Sequence, residues 1–249
     1  FICLDNQNNK DILKKISNMN YHTYGIDKKS NFRILNIVQK IDYSTFDIKI
    51  SLPNTKKKYI KNIKIPIIGF HNIRNTTAAI AVAFSIGISN KLIKDGLKNF
   101  QGVQRRFTKL FSFQKVPFFD DYAHHPTEIR EVLNGVKEVY KNKEIVCIFQ
   151  PHRISRLKNL RRDFSKAFVK ADTVVLCPIY KAGENINLGF KYSKFAKEII
   201  KNSKIKLILI KNNLELAKFI RQNIYGEKLV IGMGAGSISS WMRELPNLL

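Results

Sequence analysis

Glu144-Ile145-Val146-Cys147-Ile148-Phe149-Gln150-Pro151-His152-Arg153-Ile154-Ser155-Arg156 decides the fold class of this chain. Ile145 to Phe149 is an unbroken apolar run, too short for a helix and without alternation. That pattern belongs to a strand buried on both faces. A polar segment follows, and then a helical pattern from Ser155 to Val169. Strand, polar turn and helix in that order make half of a βαβ unit.

The same alternation extends in both directions. Downstream, strands are expected at Thr173 to Cys177, Lys206 to Ile210 and Lys228 to Ile231. Helices are expected at Tyr192 to Lys201, Asn213 to Asn223 and Gly236 to Leu245. Upstream, Phe107 to Phe113 and Val116 to Phe119 read as strands. Pro126 to Tyr140 reads as a helix, with proline at its first position and Ile129, Val132, Leu133, Val136 and Tyr140 on one face. Regular alternation of this kind predicts an α/β domain with a mostly parallel sheet covered by helices.

Before residue 103 the pattern differs. Short strands are expected at Tyr21 to Gly25, Ile34 to Val38, Phe46 to Leu52 and Tyr59 to Ile65, with a turn at Pro53 to Lys56. An amphipathic helix is expected from Asn9 to Asn18. His71 to Ser85 is a small-residue helix, apolar nearly all round and therefore expected to be buried. A second helix runs from Asn90 to Asn99. The domain boundary is placed at 103, giving 1–103 and 104–249. The chain opens on Phe1 in what reads as a strand already under way, so it is taken for a fragment of a longer protein.

Composition narrows the function classes. The 249 residues carry 44 Lys and Arg against 19 Asp and Glu, a net charge of +25. The charge is dispersed among recurring Lys, Asn and Ile rather than gathered into a stripe, and no aromatic-basic RNA motif accompanies it. It is read as compositional drift, with a basic nucleic-acid-binding module as the alternative. No apolar run approaches the roughly 20 residues of a membrane span. Cys3, Cys147 and Cys177 are widely spaced and form no zinc pattern.

In an open α/β sheet, ligands bind where strands end, and three such ends are polar. Asp120-Asp121-Tyr122-Ala123-His124-His125-Pro126 gathers two carboxylates, a phenol and two imidazoles before a helix. Read singly, one aspartate would cap that helix and the histidines would be solvated. Arg153 and Arg156 lie three apart at a helix start, where guanidinium forks and the helix end could grip one anion. Gly232-Met233-Gly234-Ala235-Gly236-Ser237 reads better as a tight strand-to-helix turn than as a phosphate cradle, because no complete GxGxxG stands there. Upstream, Asn72 and Asn75 are spaced to meet one planar ligand, although Asn72 alone reads as a helix cap. Arg105 and Arg106 follow the boundary.

Taken together and in this order, the segments resemble the Mur ligases. Gly69 to Asn75 is similar to a Gly-x-His-Asn-x-x-Asn segment of that family, and Gly102 to Phe107 to its Gly-Val-x-Arg-Arg-Phe junction. Asp120 to Glu128 and Gln150 to Arg156 resemble motifs of the members that add L-alanine, and a Gly-Ala-Gly-x-Ile element also matches at Gly234 to Ile238. The resemblance implies a partial central ATPase domain, then a Rossmann-like, mostly parallel C-terminal domain. It implies cytoplasmic ligation of L-alanine to UDP-N-acetylmuramate, with ATP and Mg²⁺ as cofactors. Asn72 and Asn75 would meet the adenine, and Arg105, Arg106 and Asp121 the ribose and phosphates. Tyr122, His124, Arg153 and Arg156 would hold L-alanine and the reacting carboxylate. A sister family that recycles murein peptide has a similar His-His-Pro segment but differs at the arginine motif. No GxxxxGK[ST] loop occurs in the 249 residues, so the chain alone is not expected to turn over.

Overall fold

The computed structural model describes residues 1–16, 19–100, 102–184 and 189–249, which divide into two compact units, Phe1–Gly102 and Val103–Leu249.

The first unit is a five-stranded sheet in the order β1-β2-β3-β4-β5 (Ile2–Cys3, Thr23–Gly25, Phe32–Gln39, Ser44–Ile50, Lys58–Ile65). The first three strands are parallel and the last three antiparallel. β4 alternates strictly between buried and half-buried residues, the signature of a strand with one face on the core. Three helices accompany the sheet. α1 (Gln7–Leu13) is shorter than the expected helix and buries nothing, and the Ser17 and Asn18 part of that expectation lies outside the described residues. α2 (Phe70–Ser85) sets Ile73, Thr77, Ile80 and Ala81 against the sheet. It is not buried all round, because within this unit only one face meets a partner; Val82, farther along, is 45% exposed. α3 (Asn90–Lys98) is capped by Ser89, whose hydroxyl accepts the Leu92 N–H.

The second unit is a six-stranded sheet in the order β10-β9-β8-β11-β7-β6. Its strands are β6 (Thr108–Phe113), β7 (Val116–Asp121), β8 (Glu144–Phe149), β9 (Thr173–Leu176), β10 (Lys206–Leu209) and β11 (Lys228–Met233). β7 to β11 are parallel, and β6 alone returns antiparallel at the edge. The chain moves from β7 outward to β8, β9 and β10, then comes back to insert β11 between β8 and β7. The carboxyl ends of β7, β11 and β8 therefore lie side by side where the winding reverses.

Helices cover both faces. α4 (Pro126–Val139), α6 (Arg161–Ser165) and α7 (Tyr192–Ser203) pack with Cys147, Phe149, Phe164, Phe168 and Phe195. α8 (Asn213–Asn223) and α9 (Ile238–Leu248) pack with Phe118, Val146, Ile148 and Cys177 on the other face. The helix expected from Ser155 to Val169 is in fact two short ones, α5 (Ile154–Asn159) and α6, broken at Leu160, where φ is −111°. Leu160 turns out of helical geometry as it packs against the first core.

β11 runs through the centre of the sheet with almost no room around it. A Cβ on Gly232 would stand 2.6 Å from Met242 Cγ, and one on Gly234 would stand 2.8 Å from the Gln150 carbonyl oxygen. Gly234 also has φ of +150°, a conformation that L side chains rarely adopt. Gly226 has φ of +72° but open space around it. The second unit holds Trp241, the chain's single tryptophan, so its emission reports this unit alone. Gly234→Ala is expected to lower stability in urea by about 2–4 kcal/mol, combining backbone strain with overpacking. Gly226→Ala is expected to cost only about 1–2 kcal/mol, from strain alone. Equal losses in the two variants, read from Trp241 emission, would contradict the crowding of β11.

Candidate ligand site at the carboxyl ends of the central strands

Register fixes how far each strand reaches. Gly232 pairs with Asp120 on one side and Ile148 on the other, and Met233 pairs with Asp121 and Phe149. The Gln150 N–H then donates to Met233, and the Gly234 N–H to Asp121. Three turns leave the sheet at one level, and the side chains beyond them become neighbours.

The two aspartates point to opposite faces, as successive strand residues must. Asp120 is fully buried beside α9; its Oδ2 accepts the Ser239 hydroxyl at 2.5 Å and lies 3.7 Å from Arg105 Nε. Asp120 Oδ1 and Arg105 Nε are both buried without a hydrogen-bond partner. Asp121 is 1% exposed, and its two oxygens accept the Phe107 and Ala123 N–H groups at 2.8 Å each. Burial pushes its pKa up to about 6 against those two hydrogen bonds and the nearby charge of Arg106. Neither aspartate caps the helix that follows. His125 does so, accepting the Thr127 N–H while Glu128 accepts the backbone N–H groups of His124 and His125.

That cap aims His124. Its Nδ1 lies 2.9 Å from the Tyr122 carbonyl, which can only accept, so Nδ1 carries a proton and Nε2 points elsewhere. The Tyr122 ring meets the His124 ring edge-on at 5.1 Å, and His124 lies 5.8 Å from His152. His152 stacks on Tyr180 at 5.5 Å. Arg156 Nη1 sits 3.3 Å from His152 Nδ1. A guanidinium only donates, so Nδ1 is the acceptor and the ring is neutral; burial and the charges of Arg156, His124 and Arg153 lower its pKa accordingly. Tyr122, His124 and Arg156 are thus joined through His152 in one row across the strand ends. Arg153 enters the row by its backbone, with φ of +67°, and its exposed side chain acts on His152 and Glu184 through its charge.

Other expected residues have different placements. Arg105, with a 22% exposed side chain, donates to the Gly234 carbonyl at 2.5 Å and lies over the Tyr122 ring at 4.7 Å, so it braces the turn. Arg106 is exposed, 5.9 Å from the same ring. In the first unit, Asn72 is buried and Asn75 exposed, so the two do not present one shared surface. Asn72 is not the cap, which is Gly69; its amide donates to the Ile68 carbonyl at 2.7 Å. The Gly234–Ser237 turn is occupied as well, because Gln150 Oε1 accepts the Ile238 N–H and Gly236 packs on Tyr180.

Tyr180 and Glu184 were not singled out from sequence. Both follow β9, which ends on the same edge of the sheet, in Cys177-Pro178-Ile179-Tyr180-Lys181-Ala182-Gly183-Glu184. Applying the strand-end rule to the turn after β9 would have found them.

Comparison with known proteins bears on the family and the fold. A Mur ligase middle-domain model matches residues 1–83, and the Mur ligase glutamate ligase domain matches 105–236. The chain is 61% identical to UDP-N-acetylmuramate–L-alanine ligase of Pelagibacter ubique, across all of this chain and 54% of that protein. The ligase of the same name from Rickettsia canadensis is 41% identical, over 98% of this chain and 52% of its own length. The chain spans about half the length of the curated relatives it matches. The UDP-N-acetylmuramate–alanine ligase structure from Thermotoga maritima superposes with a TM-score of 0.74 at 28% identity, covering 94% of this chain and 49% of that one. A murein peptide ligase from Psychrobacter arcticus has a TM-score of 0.63 over 96% of this chain and 48% of its own, but at 21% identity it shows the fold alone.

The buried Asp121 makes stability depend on pH. A carboxyl whose folded pKa is raised binds its proton more tightly when folded, so stability falls as pH rises from about 4 to about 6. Asp121→Asn removes that component. The difference in unfolding free energy between parent and variant, followed by Trp241 emission, should shift over this window by on the order of 2–3 kcal/mol. A difference that is constant from pH 4 to 7 would refute a perturbed Asp121.

Proposed function

The chain belongs to the Mur ligase family, and on that footing we propose that it is part of an ATP-dependent ligase joining L-alanine to UDP-N-acetylmuramate. The observation that carries the proposal is the row Tyr122, His124, His152 and Arg156 at adjoining strand ends, with Arg153 beside it. The relatives named for this activity support it. ATP would supply the phosphoryl group that activates the lactyl carboxylate of the sugar nucleotide.

The residues of the row suit the acceptor amino acid. Arg153 and Arg156 stand at the start of α5 and offer forked, permanently charged donors to the alanine carboxylate. His152 stays neutral beside them and adds no positive charge of its own to theirs. His124 is locked with Nδ1 protonated, which leaves Nε2 to meet the alanine amine. Tyr122 closes the row with a half-exposed ring over which Arg105 and Arg106 lie. Holding the amine at a fixed angle to an activated carbonyl is worth several kcal/mol by orientation alone.

Arg106, in the second unit, is exposed and so open to an anionic group such as a nucleotide phosphate; Asn75, in the first unit, is exposed as well. Asn72, Arg105 and Asp121 are committed to internal partners and would support the nucleotide only indirectly. Among the described residues no three His, Cys, Asp or Glu side chains gather as a metal site, so these residues do not fit Mg²⁺ as a complete ligand set. Among them, too, no helix is long and apolar enough to cross a membrane.

In a full-length ligase carrying this chain, Arg153→Ala or Arg156→Ala should raise the KM for L-alanine about 10- to 100-fold, the weight of one charge-assisted contact. The KM for ATP should move less than about 2-fold, since neither residue is assigned to the nucleotide. An unchanged KM for L-alanine in both variants would defeat the assignment. The 249-residue chain by itself should show no ligation, because no GxxxxGK[ST] loop lies within it.

A further inference from the structure

We infer that Glu184 is a positioning residue for the amino-acid site, acting through Arg153. The inference rests on the reading of Arg153 and Arg156 as the carboxylate clamp.

Arg153 has φ of +67° and ψ of 130°, and its own side chain does not cap the helix it opens. For a non-glycine residue such a backbone is costly and persists only where its surroundings over-determine it. The turn after β9 supplies that determination on both sides of Arg153. The Arg153 N–H donates to the Tyr180 carbonyl at 2.9 Å, and the Tyr180 N–H donates in turn to Pro151 at 2.8 Å. Directly beyond Arg153, Glu184 Oε2 accepts the Ile154 N–H at 2.7 Å and the Ser155 N–H at 3.2 Å. Glu184 Oε1 accepts the Ser155 hydroxyl. One carboxylate thus fixes the peptide groups that set the direction of the Arg153 side chain.

The choice of acid also matters electrostatically. The Ser155 hydroxyl bond, the backbone bonds and the charge of Arg153 hold the Glu184 carboxyl below its ordinary pKa, so it stays ionised. A glutamine could keep one carbonyl acceptor for the backbone, but not both oxygens and not the charge. Removing the acid frees the Ile154 and Ser155 N–H groups and lets residue 153 relax toward ordinary backbone angles. Arg153 then loses its aim, while the core below, built from Phe149, Leu157 and Phe164, is untouched.

The test uses a full-length ligase carrying this chain, with Arg153→Ala as the reference. Glu184→Ala should raise the KM for L-alanine about 10- to 100-fold, as small misplacements of a binding group do. Glu184→Gln should lie between Ala and the parent. The KM for ATP should stay within about 2-fold of the parent in both, and the Trp241 emission spectrum should be unchanged, which separates positioning from a general loss of structure. If Arg153→Ala raises the KM for L-alanine and Glu184→Ala does not, the role of Glu184 is refuted while the clamp stands. Equal increases in both KM values would refute it too. If Arg153→Ala itself has no effect, the clamp falls and this inference falls with it.

Discussion

The close approach of β11 to the start of the turn after β8 is the constraint on which the second unit depends. The Gln150 N–H bonds to Met233, and a side chain on Gly234 would collide with the Gln150 carbonyl. Only a chain with no side chain at that point lets the central strand end level with its neighbours. Level ends bring the polar turns after β7 and β8 within ring-contact distance, and the third turn, after β9, joins them through Tyr180 stacked on His152. Were β11 to end a residue earlier or later, every side chain beyond it would face the other way.

Holding polar turns so tightly carries a cost, and the sequence shows where it is met. Asp121 is buried because two backbone N–H groups in irregular chain, those of Phe107 and Ala123, need acceptors that no strand partner supplies. Asp120 is buried to anchor α9 through Ser239, and it retains one unpartnered oxygen near an unpartnered Arg105 nitrogen. Arg105 and Arg153 both sit at positive φ, each beside a turn that leads into the row. Positive φ also occurs elsewhere in the second unit, at Gln114, Lys115 and Lys204, but both of its buried aspartates, Asp120 and Asp121, lie at this edge of the sheet.

Much of this was legible in the sequence, and the failures share a cause. The βαβ alternation was readable because each strand is a short apolar run and each helix has a one-sided stripe. α8 follows the expected span residue for residue. The break at Leu160 was not readable, because Ser155 to Val169 keeps a helical pattern of apolar residues across it and only packing decides the geometry. α2 looked buried all round because alanine is apolar on every face, yet burial depends on which faces find a partner. Tyr122, His124 and Arg156 were recognisable as chemistry-bearing residues next to strand ends. The internal partners of Asp121, Arg105 and Asn72 were not, since a polar side chain that bonds backbone and one that bonds ligand look alike in a sequence. Tyr180 and Glu184 were missed because they stand in a turn whose other residues carry no unusual density.

On the proposed reading, the capping pattern explains why anion recognition would fall to arginines. In many open α/β domains a phosphate sits on a helix N-terminus and takes its free N–H groups. Here the helices that start at the binding edge are already filled from within. His125 and Glu128 accept donors at the start of α4, Glu184 does so for α5, and Gln150 does so for α9. Filled ends hold the turns rigid but leave few backbone donors for a ligand. An incoming carboxylate or phosphate must then be met by side chains that carry a permanent charge, and Arg106, Arg153 and Arg156 are placed beside those ends. The glycine turn at Gly234 to Gly236 fits the same logic: its glycines serve close packing against Gln150 and Tyr180, so it holds the edge together instead of cradling a phosphate.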